Sequence, residues 1–186
     1  LHLPYGFADR MRNKAAEAFL ESDYTHMIML DSDHIHPVDI VQRLCRWVAV
    51  DPEKQIVGGM NFKRCAPYSP CAFIDDERGT FRLHEWEQGL MEVSSIGFGC
   101  VMIAREVFET VPRPWFYHDY SGAATDPEFG YPGHDLLFCR RAAALGIKTW
   151  CDTTTVSPHM TSVKVGEATY RTYFETLPEG SQEVVD

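Results

Sequence analysis

Apolar residues along the chain fall either into short unbroken runs or into stretches with helical spacing. Residues 8–21, ADRMRNKAAEAFLE, carry Met11, Ala15, Ala18 and Phe19 along one side with charges opposite, which predicts an amphipathic helix. HMIML, residues 26–30, is a continuous apolar run of strand length, the pattern of a strand covered on both faces. Val38, Val41, Cys45 and Val48 recur at helical spacing after Pro37, a residue suited to a helix's first turn. QIVGGM (55–60) predicts a second buried strand, and CAFIDDERGTFRLH (71–84) two short strands around a turn at Gly79.

EVSSIGFGCVMIA (92–104) reads as a strand interrupted at Gly97 and Gly99, and REVFETV (105–111) as a short helix after it. GHDLLFCRRAAALG (133–146) predicts a helix with Phe138, Ala142 and Leu145 inward and Gly146 as its stop. IKTWCD (147–152) predicts another strand. The stretch from Trp115 to Gly133 shows no period, and a segment of that length inside a domain is a lid, a binding loop or disorder.

Strands alternating with helices predict one domain over residues 1–186, an α/β/α sandwich around a mainly parallel mixed sheet. In such sheets ligands gather at the carboxyl ends of strands, and Asp31 and Asp33 lie at one such end. No strand precedes residue 8, so the N-terminal strand usual in such a sheet is expected to be missing. An edge left open in that way would suit pairing with a second copy, a homo-oligomer.

Composition narrows the partners. The 17 Lys plus Arg against 27 Asp plus Glu give −10, which argues against nucleic acid, since phosphate binding rests on clustered cations. Any anionic ligand would need local basic residues or a bound cation. The six cysteines form no C-x-x-C pair and several sit in apolar runs, so they read as reduced thiols in a cytoplasmic protein. No apolar run approaches the ~18 residues that span a bilayer, and no signal peptide is visible, so a soluble protein with no transmembrane segment is expected.

The densest chemistry lies in DSDHIHP, residues 31–37. In an extended backbone residues i and i+2 point the same way, so Asp31 and Asp33 would converge. Two such carboxylates repel unless a cation or proton lies between them, and a divalent ion resolves this. Taken alone, D-x-D is equally the mark of a polar strand-to-helix turn. His34 and His36 also share a side, which raises a rival histidine-rich site of the kind zinc prefers. Nearby Cys ligands or an H-E-x-x-H helix, which would support that rival, are missing from the sequence.

Arg12-Asn13 before an apolar strand, Asp31-Ser32-Asp33 after it, Gly97-Phe98-Gly99 with Arg105, Asp135 with Phe138 and Arg141, and a late His159 occur in one order. In this the chain resembles glycosyltransferases of the GT-A fold, family 2-like members in particular, from about residue 10 to 160. The resemblance implies a GT-A-like (Rossmann-like) fold. It also implies a nucleotide-sugar donor, a UDP- or GDP-sugar, whose diphosphate is bridged to the protein by Mn²⁺ or Mg²⁺. Asp31 would lie near the donor ribose and the ion, Asp33 would ligate the ion directly, and His159 would match the late metal-binding histidine. Arg12, Lys63 and Arg64 would help hold the diphosphate.

On the same resemblance Gly97, Phe98 and Gly99 flank a hydroxyl-bearing acceptor, and Asp135 is the base of an inverting transfer. Each has an ordinary alternative: a β-bulge for the glycines, helix capping for Asp135, a core or capping role for His159. The family usually carries Glu-Asp where this chain has His134-Asp135, so His134 stands at the acceptor side in place of a carboxylate. Trp115, with Phe116, Tyr117 and Tyr120, would either stack on the acceptor sugar or cover the core. Two rival functions stay open: a non-catalytic nucleotide- or carbohydrate-binding domain, and a sugar nucleotidyltransferase. The latter should carry a glycine-rich basic phosphate loop that this sequence lacks.

Overall fold

The computed structural model describes residues 8–77, 79–119, 133–161 and 164–175. In chain order its elements are α1 (Ala8–Leu20), β1 (His26–Leu30), α2 (Ile40–Val50), β2 (Ile56–Met60), β3 (Ala72–Asp76), β4 (Gly79–Arg82), β5 (Leu90–Val93) and β6 (Ser95–Ile96). They continue with β7 (Cys100–Ala104), α3 (Arg105–Thr110), α4 (His134–Ala143), β8 (Thr149–Val156), β9 (His159–Met160), β10 (Lys164–Val165) and α5 (Glu167–Glu175).

Period-two alternation divides the strands' apolar residues between two faces. Cys100 and Met102 of β7 join Val57 of β2 and Ile28 of β1 on one face, under Ile40, Leu44 and Trp47 of α2. Val101 and Ile103 join Ile56, Met60 and Met29 on the other, under α1, α3 and α4 through Ala16, Phe19, Val107, Phe108, Phe138 and Ala142. Helices therefore cover both faces of one sheet. Leu44 is fully buried, and a side chain of that kind contributes roughly 2 kcal/mol by leaving water.

The sheet has five strands in the order β1-β7-β2-β8-β5. It is mixed, and the expectation of a mainly parallel sheet is corrected: only β2 with β8 pairs parallel, while β1 with β7, β2 with β7 and β5 with β8 pair antiparallel. The cause is β7, which inserts between β1 and β2 in the opposite direction. It follows from these pairings that β1, β2 and β8 share a direction, so their carboxyl ends open at the end where β7 begins. Residues 92–104 are not one interrupted strand. They split into the end of β5, then β6 in a separate three-stranded sheet β4-β3-β6, then β7 back in the large sheet.

Two helix faces are also rotated from the expected ones. In α1 the buried positions are Arg12, Ala16 and Phe19, with Ala18 exposed. In α2 they are Ile40 and Leu44, while Val38 is fully exposed and lies before the helix. Leu145 lies beyond α4 and is half exposed. No helix among the described residues is long and apolar enough to cross a membrane. All six cysteines are free.

Candidate functional site

Arg12 lies on the buried side of α1, which is unusual for a guanidinium and demands partners for its donors. Its Nη2 donates to both oxygens of Asp31, at 2.9 and 3.0 Å, and to the Phe98 carbonyl at 3.1 Å. Its Nη1 lies 2.6 Å from Nε2 of His134. Because Arg donates only, Nε2 must accept, and the imidazole is neutral with its proton on Nδ1. Burial, then the Arg12 charge, push the His134 pKa down to about 4. One side chain thus ties the end of β1 to the loop before β7 and to the start of α4.

The chain leaves its extended path straight after β1. The His34 amide donates to the Asp31 carbonyl at 3.3 Å in a turn. That turn breaks the alternation, so Asp31 and Asp33 diverge: Asp31 goes to Arg12, whereas Asp33 faces the segment after β8. There the Met160 amide donates to the Asp33 carbonyl at 2.6 Å, and His34 pairs with His159 in an isolated antiparallel bridge.

Donor atoms of Asp33, His34 and His159 all lie within 4.8 Å of one another. His159 Nδ1 is 2.5 Å from the Phe62 carbonyl and so must donate to it. That leaves Nε2 facing Asp33 Oδ2 at 3.7 Å. The separation is too long for a hydrogen bond but suits two ligands each ~2.0–2.2 Å from one ion. Arg64 Nη1 lies 3.1 Å from the same Oδ2. His34 Nδ1 donates to Asp33 Oδ1 at 3.1 Å, and its Nε2 is buried with no hydrogen-bond partner among the described residues. Burial, then the neighbouring His159, lower the His34 pKa.

His36 has no nitrogen to spare for a metal. Its Nε2 donates to the Asp31 carbonyl at 2.9 Å and its Nδ1 accepts from the Ser157 hydroxyl at 3.0 Å. It straps the turn to the end of β8. Lys63 precedes Arg64 on the segment after β2, its amide donating to the Ser69 carbonyl at 2.9 Å.

Asp135 lies in the first turn of α4, where the helix dipole favours a carboxylate. Its Oδ1 accepts from the Leu136 amide at 2.9 Å, and its Oδ2 lies 3.4 Å from the Phe98 amide. A Cβ on Gly133 would approach Oδ1 to 2.5 Å, so glycine there leaves room for the carboxylate.

The expected acceptor residues need correction. Trp115 is 2% exposed, donates from Nε1 to the Phe108 carbonyl at 2.8 Å and stands edge-on to Phe108. Phe98 is 1% exposed and packs edge-on against Phe116 and Phe138. Both rings belong to the core and have no face to offer a sugar. Gly97 and Gly99 answer to internal crowding: a Cβ at 97 would meet Cys71 Cβ at 2.9 Å, and one at 99 would meet His34 Nε2 at 2.6 Å. Tyr120, Gly122 and Gly130 lie outside the described residues.

Asn61 was missed in the sequence, and several motif residues have roles that the sequence left unassigned. Asn13 accepts from the amides of Trp115 and Phe116 and donates to the Phe116 carbonyl, fixing where the aperiodic segment begins. Asn61 is buried beside Gly99 and donates to the Gly59 and Gly97 carbonyls. Arg105 and Arg141, part of the ordered motif set, spend their guanidinium groups on backbone carbonyls at 19–24 and 112–115. A cleft of about 510 Å³ beside Val93, Lys148 and Thr149 opens where β8 begins, at the opposite end from Asp33.

These features describe an α/β protein with a carboxylate–histidine cluster at the carboxyl ends of β1 and β8. No family model matches the chain, and no curated protein matches it. Among solved structures it is similar to A197 from the virus STIV, with a TM-score of 0.59 and 21% identity over 84% of this chain and 69% of that one. At that identity the likeness shows the fold alone.

Proposed function

We propose that this chain is a metal-dependent glycosyltransferase moving a sugar from a nucleotide-diphosphate-sugar donor to a hydroxyl acceptor. The observation that carries the reading is the network around Arg12. It gathers Asp31, the Phe98 loop and the His134-Asp135 start of α4 at the same sheet end where Asp33 faces His159. Those are the positions that the ordered motifs single out in the sequence.

The residues fit a divalent ion at Asp33 and His159, because the Phe62 carbonyl takes the Nδ1 proton and leaves Nε2 to ligate. An ion held there supplies Lewis acidity toward the departing diphosphate. Arg64, beside Asp33, is within reach to bind the phosphates, which the net charge of −10 would otherwise repel. Asp31, fixed by Arg12, presents its exposed edge to the donor ribose.

In the transfer, the acceptor oxygen bonds to the anomeric carbon while the bond from that carbon to the phosphate oxygen breaks. Asp135 takes the acceptor proton, and the nucleoside diphosphate leaves with the electron pair. Single displacement of this kind inverts the anomeric configuration.

The test is release of nucleoside diphosphate from a panel of UDP- and GDP-sugars, with and without Mn²⁺ or Mg²⁺. The reading expects ion-dependent release that falls at least ~100-fold in Asp135→Asn, with donor binding retained. Glycan or nucleotide binding without turnover would instead establish a binding domain. Formation of a nucleotide sugar from a sugar phosphate would establish a nucleotidyltransferase. Turnover that survives Asp135→Asn would remove that residue as base.

A further inference from the structure

The ion ligands expected from the sequence are Asp31, Asp33 and His159. The geometry points to a different set: we propose that Asp33, His34 and His159 form a two-histidine, one-carboxylate centre for a borderline transition ion, with Asn61 orienting His34. This deepens the metal-dependent reading above and rests on it for the role of the ion in catalysis.

Asp31 is withdrawn from the set because both its oxygens already accept from Arg12. A guanidinium held that closely occupies the carboxylate that a cation would need. Asp33, by contrast, has imidazoles on both sides, with Oδ1 at 3.1 Å from His34 Nδ1 and Oδ2 at 3.7 Å from His159 Nε2. The two rings lie 3.8 Å apart, centroid to centroid.

What decides the role of an imidazole is where its proton lies, and an outside partner fixes that. For His159 the partner is the Phe62 carbonyl, which claims Nδ1–H and turns the Nε2 lone pair toward Asp33. His34 has a buried amide on its far side, with which it makes no hydrogen bond in this structure. Asn61 spends its amide hydrogens on the Gly59 and Gly97 carbonyls, so its Oδ1 is fixed as an acceptor, and that buried oxygen has no donor among the described residues. His34 is 8% exposed, and its Nε2 is likewise buried and has no hydrogen-bond partner among the described residues.

The two orphaned atoms border one space. A Cβ built on Gly99 would lie 2.6 Å from His34 Nε2 and 3.1 Å from Asn61 Cγ. In this structure His34 Nδ1 donates to Asp33 Oδ1 at 3.1 Å; an ion taking that proton's place would leave His34 protonated on Nε2, on the side where the Asn61 amide lies. An ion bound there would meet His34 Nδ1, His159 Nε2 and the Asp33 carboxylate, whose ligand atoms lie within 4.8 Å of one another. Two imidazole nitrogens beside one carboxylate select manganese, iron, cobalt or zinc over magnesium, which prefers oxygen donors and retained waters.

The experiment measures ion binding by the purified full chain directly, without donor or turnover. Mn²⁺ binding is followed by electron paramagnetic resonance, and Co²⁺ binding by its visible absorption, which reports nitrogen coordination. The expected result is Mn²⁺ binding at least ~100-fold tighter than Mg²⁺ in competition. His34→Gln and His159→Gln should each weaken it ~10-fold or more, and Asn61→Leu ~10-fold, the range for loss of an orienting partner. Asp31→Asn should change it less than threefold, about the effect of removing one nearby charge.

Thermal melts without metal identify any variant that fails to fold, and for such a variant the Co²⁺ spectrum of His34→Cys decides. A sulfur-to-cobalt charge-transfer band there places residue 34 on the ion, and its absence overturns the assignment. Affinity that is unchanged in His34→Gln but lost in Asp31→Asn restores the expected set and overturns this one. No ion binding in the wild type overturns both the centre and the ion's part in the proposed function. Binding that depends on His34, together with no nucleotide-sugar turnover, leaves the centre standing and refutes the transferase reading.

Discussion

Arg12 and Asp31 meet through a single nitrogen, Nη2, which donates to both carboxylate oxygens from a guanidinium that is itself almost buried. Since Asp31 keeps 41% of its side chain exposed, the Coulombic part of the pair is partly screened. The larger loss on removing Arg12 comes from the acceptors it leaves behind, the Phe98 carbonyl and His134 Nε2. Arg12→Met is expected to lower stability by about 2–3 kcal/mol. Urea unfolding measures this, and a loss below ~0.5 kcal/mol would show that the network holds nothing together.

His134 makes stability depend on pH. Its folded pKa of about 4 lies below the 6.5 of an unfolded histidine. Between those values the unfolded chain binds the extra proton, so stability is complete above about pH 6.5 and falls as pH drops toward 4. The difference corresponds to at most ~3 kcal/mol, and His34, whose pKa is also lowered by burial, acts in the same direction. Unfolding free energies at pH 7.5 and 5.0 should differ by 1 kcal/mol or more. His134→Gln, which keeps a hydrogen-bonding side chain and cannot titrate, should reduce that difference by half or more.

Asp152 shows what a structural carboxylate looks like here. It is fully buried and accepts from Arg46 at 2.9 Å, Trp47 Nε1 at 2.9 Å, the Thr154 amide at 3.0 Å and hydroxyl at 2.6 Å, and the Thr155 hydroxyl at 2.7 Å. Burial alone would raise its pKa, but the bonds from Thr154, Trp47 and Thr155 outweigh that and lower it. Asp152→Asn turns one acceptor into a donor facing donors and is expected to cost about 3–5 kcal/mol. Trp47 fluorescence should report the loosened contact, while Mn²⁺ affinity of the folded fraction stays within twofold.

The strands at 26–30 and 55–60 were legible because strands covered on both faces require unbroken apolar runs. Their directions were not, since periodicity carries no sign, and the insertion of β7 depends on contacts about 75 residues away in β1 and about 45 residues away in β2. The cluster itself was half legible. The motif order drew attention to Asp31, Asp33 and His159, but alternation assigned Asp31 and Asp33 to a shared point, and the turn after Leu30 ends that alternation. His34 was raised only with His36, as a rival histidine-rich site, because its contact with His159 is a bridge between distant segments. Trp115 misled for a related reason: an aromatic in an aperiodic stretch looks exposed until Asn13, from α1, is seen to pin that stretch to the core.

Gly99 separates packing from chemistry at the cluster. A methyl group there would come within 2.6 Å of His34 Nε2 and 2.7 Å of Cε1, while the backbone itself has no positive φ that would demand glycine. Gly99→Ala therefore acts by pushing the buried His34 ring. Overpacking of this kind costs about 1–3 kcal/mol. If His34 belongs to the ion centre, the displaced ring should also weaken Mn²⁺ binding ~10-fold or more, and Gly99→Ala combined with His34→Ala should recover stability by relieving the clash. A double variant no more stable than Gly99→Ala alone would show that the methyl group is accommodated elsewhere and that His34 is not held where the structure puts it.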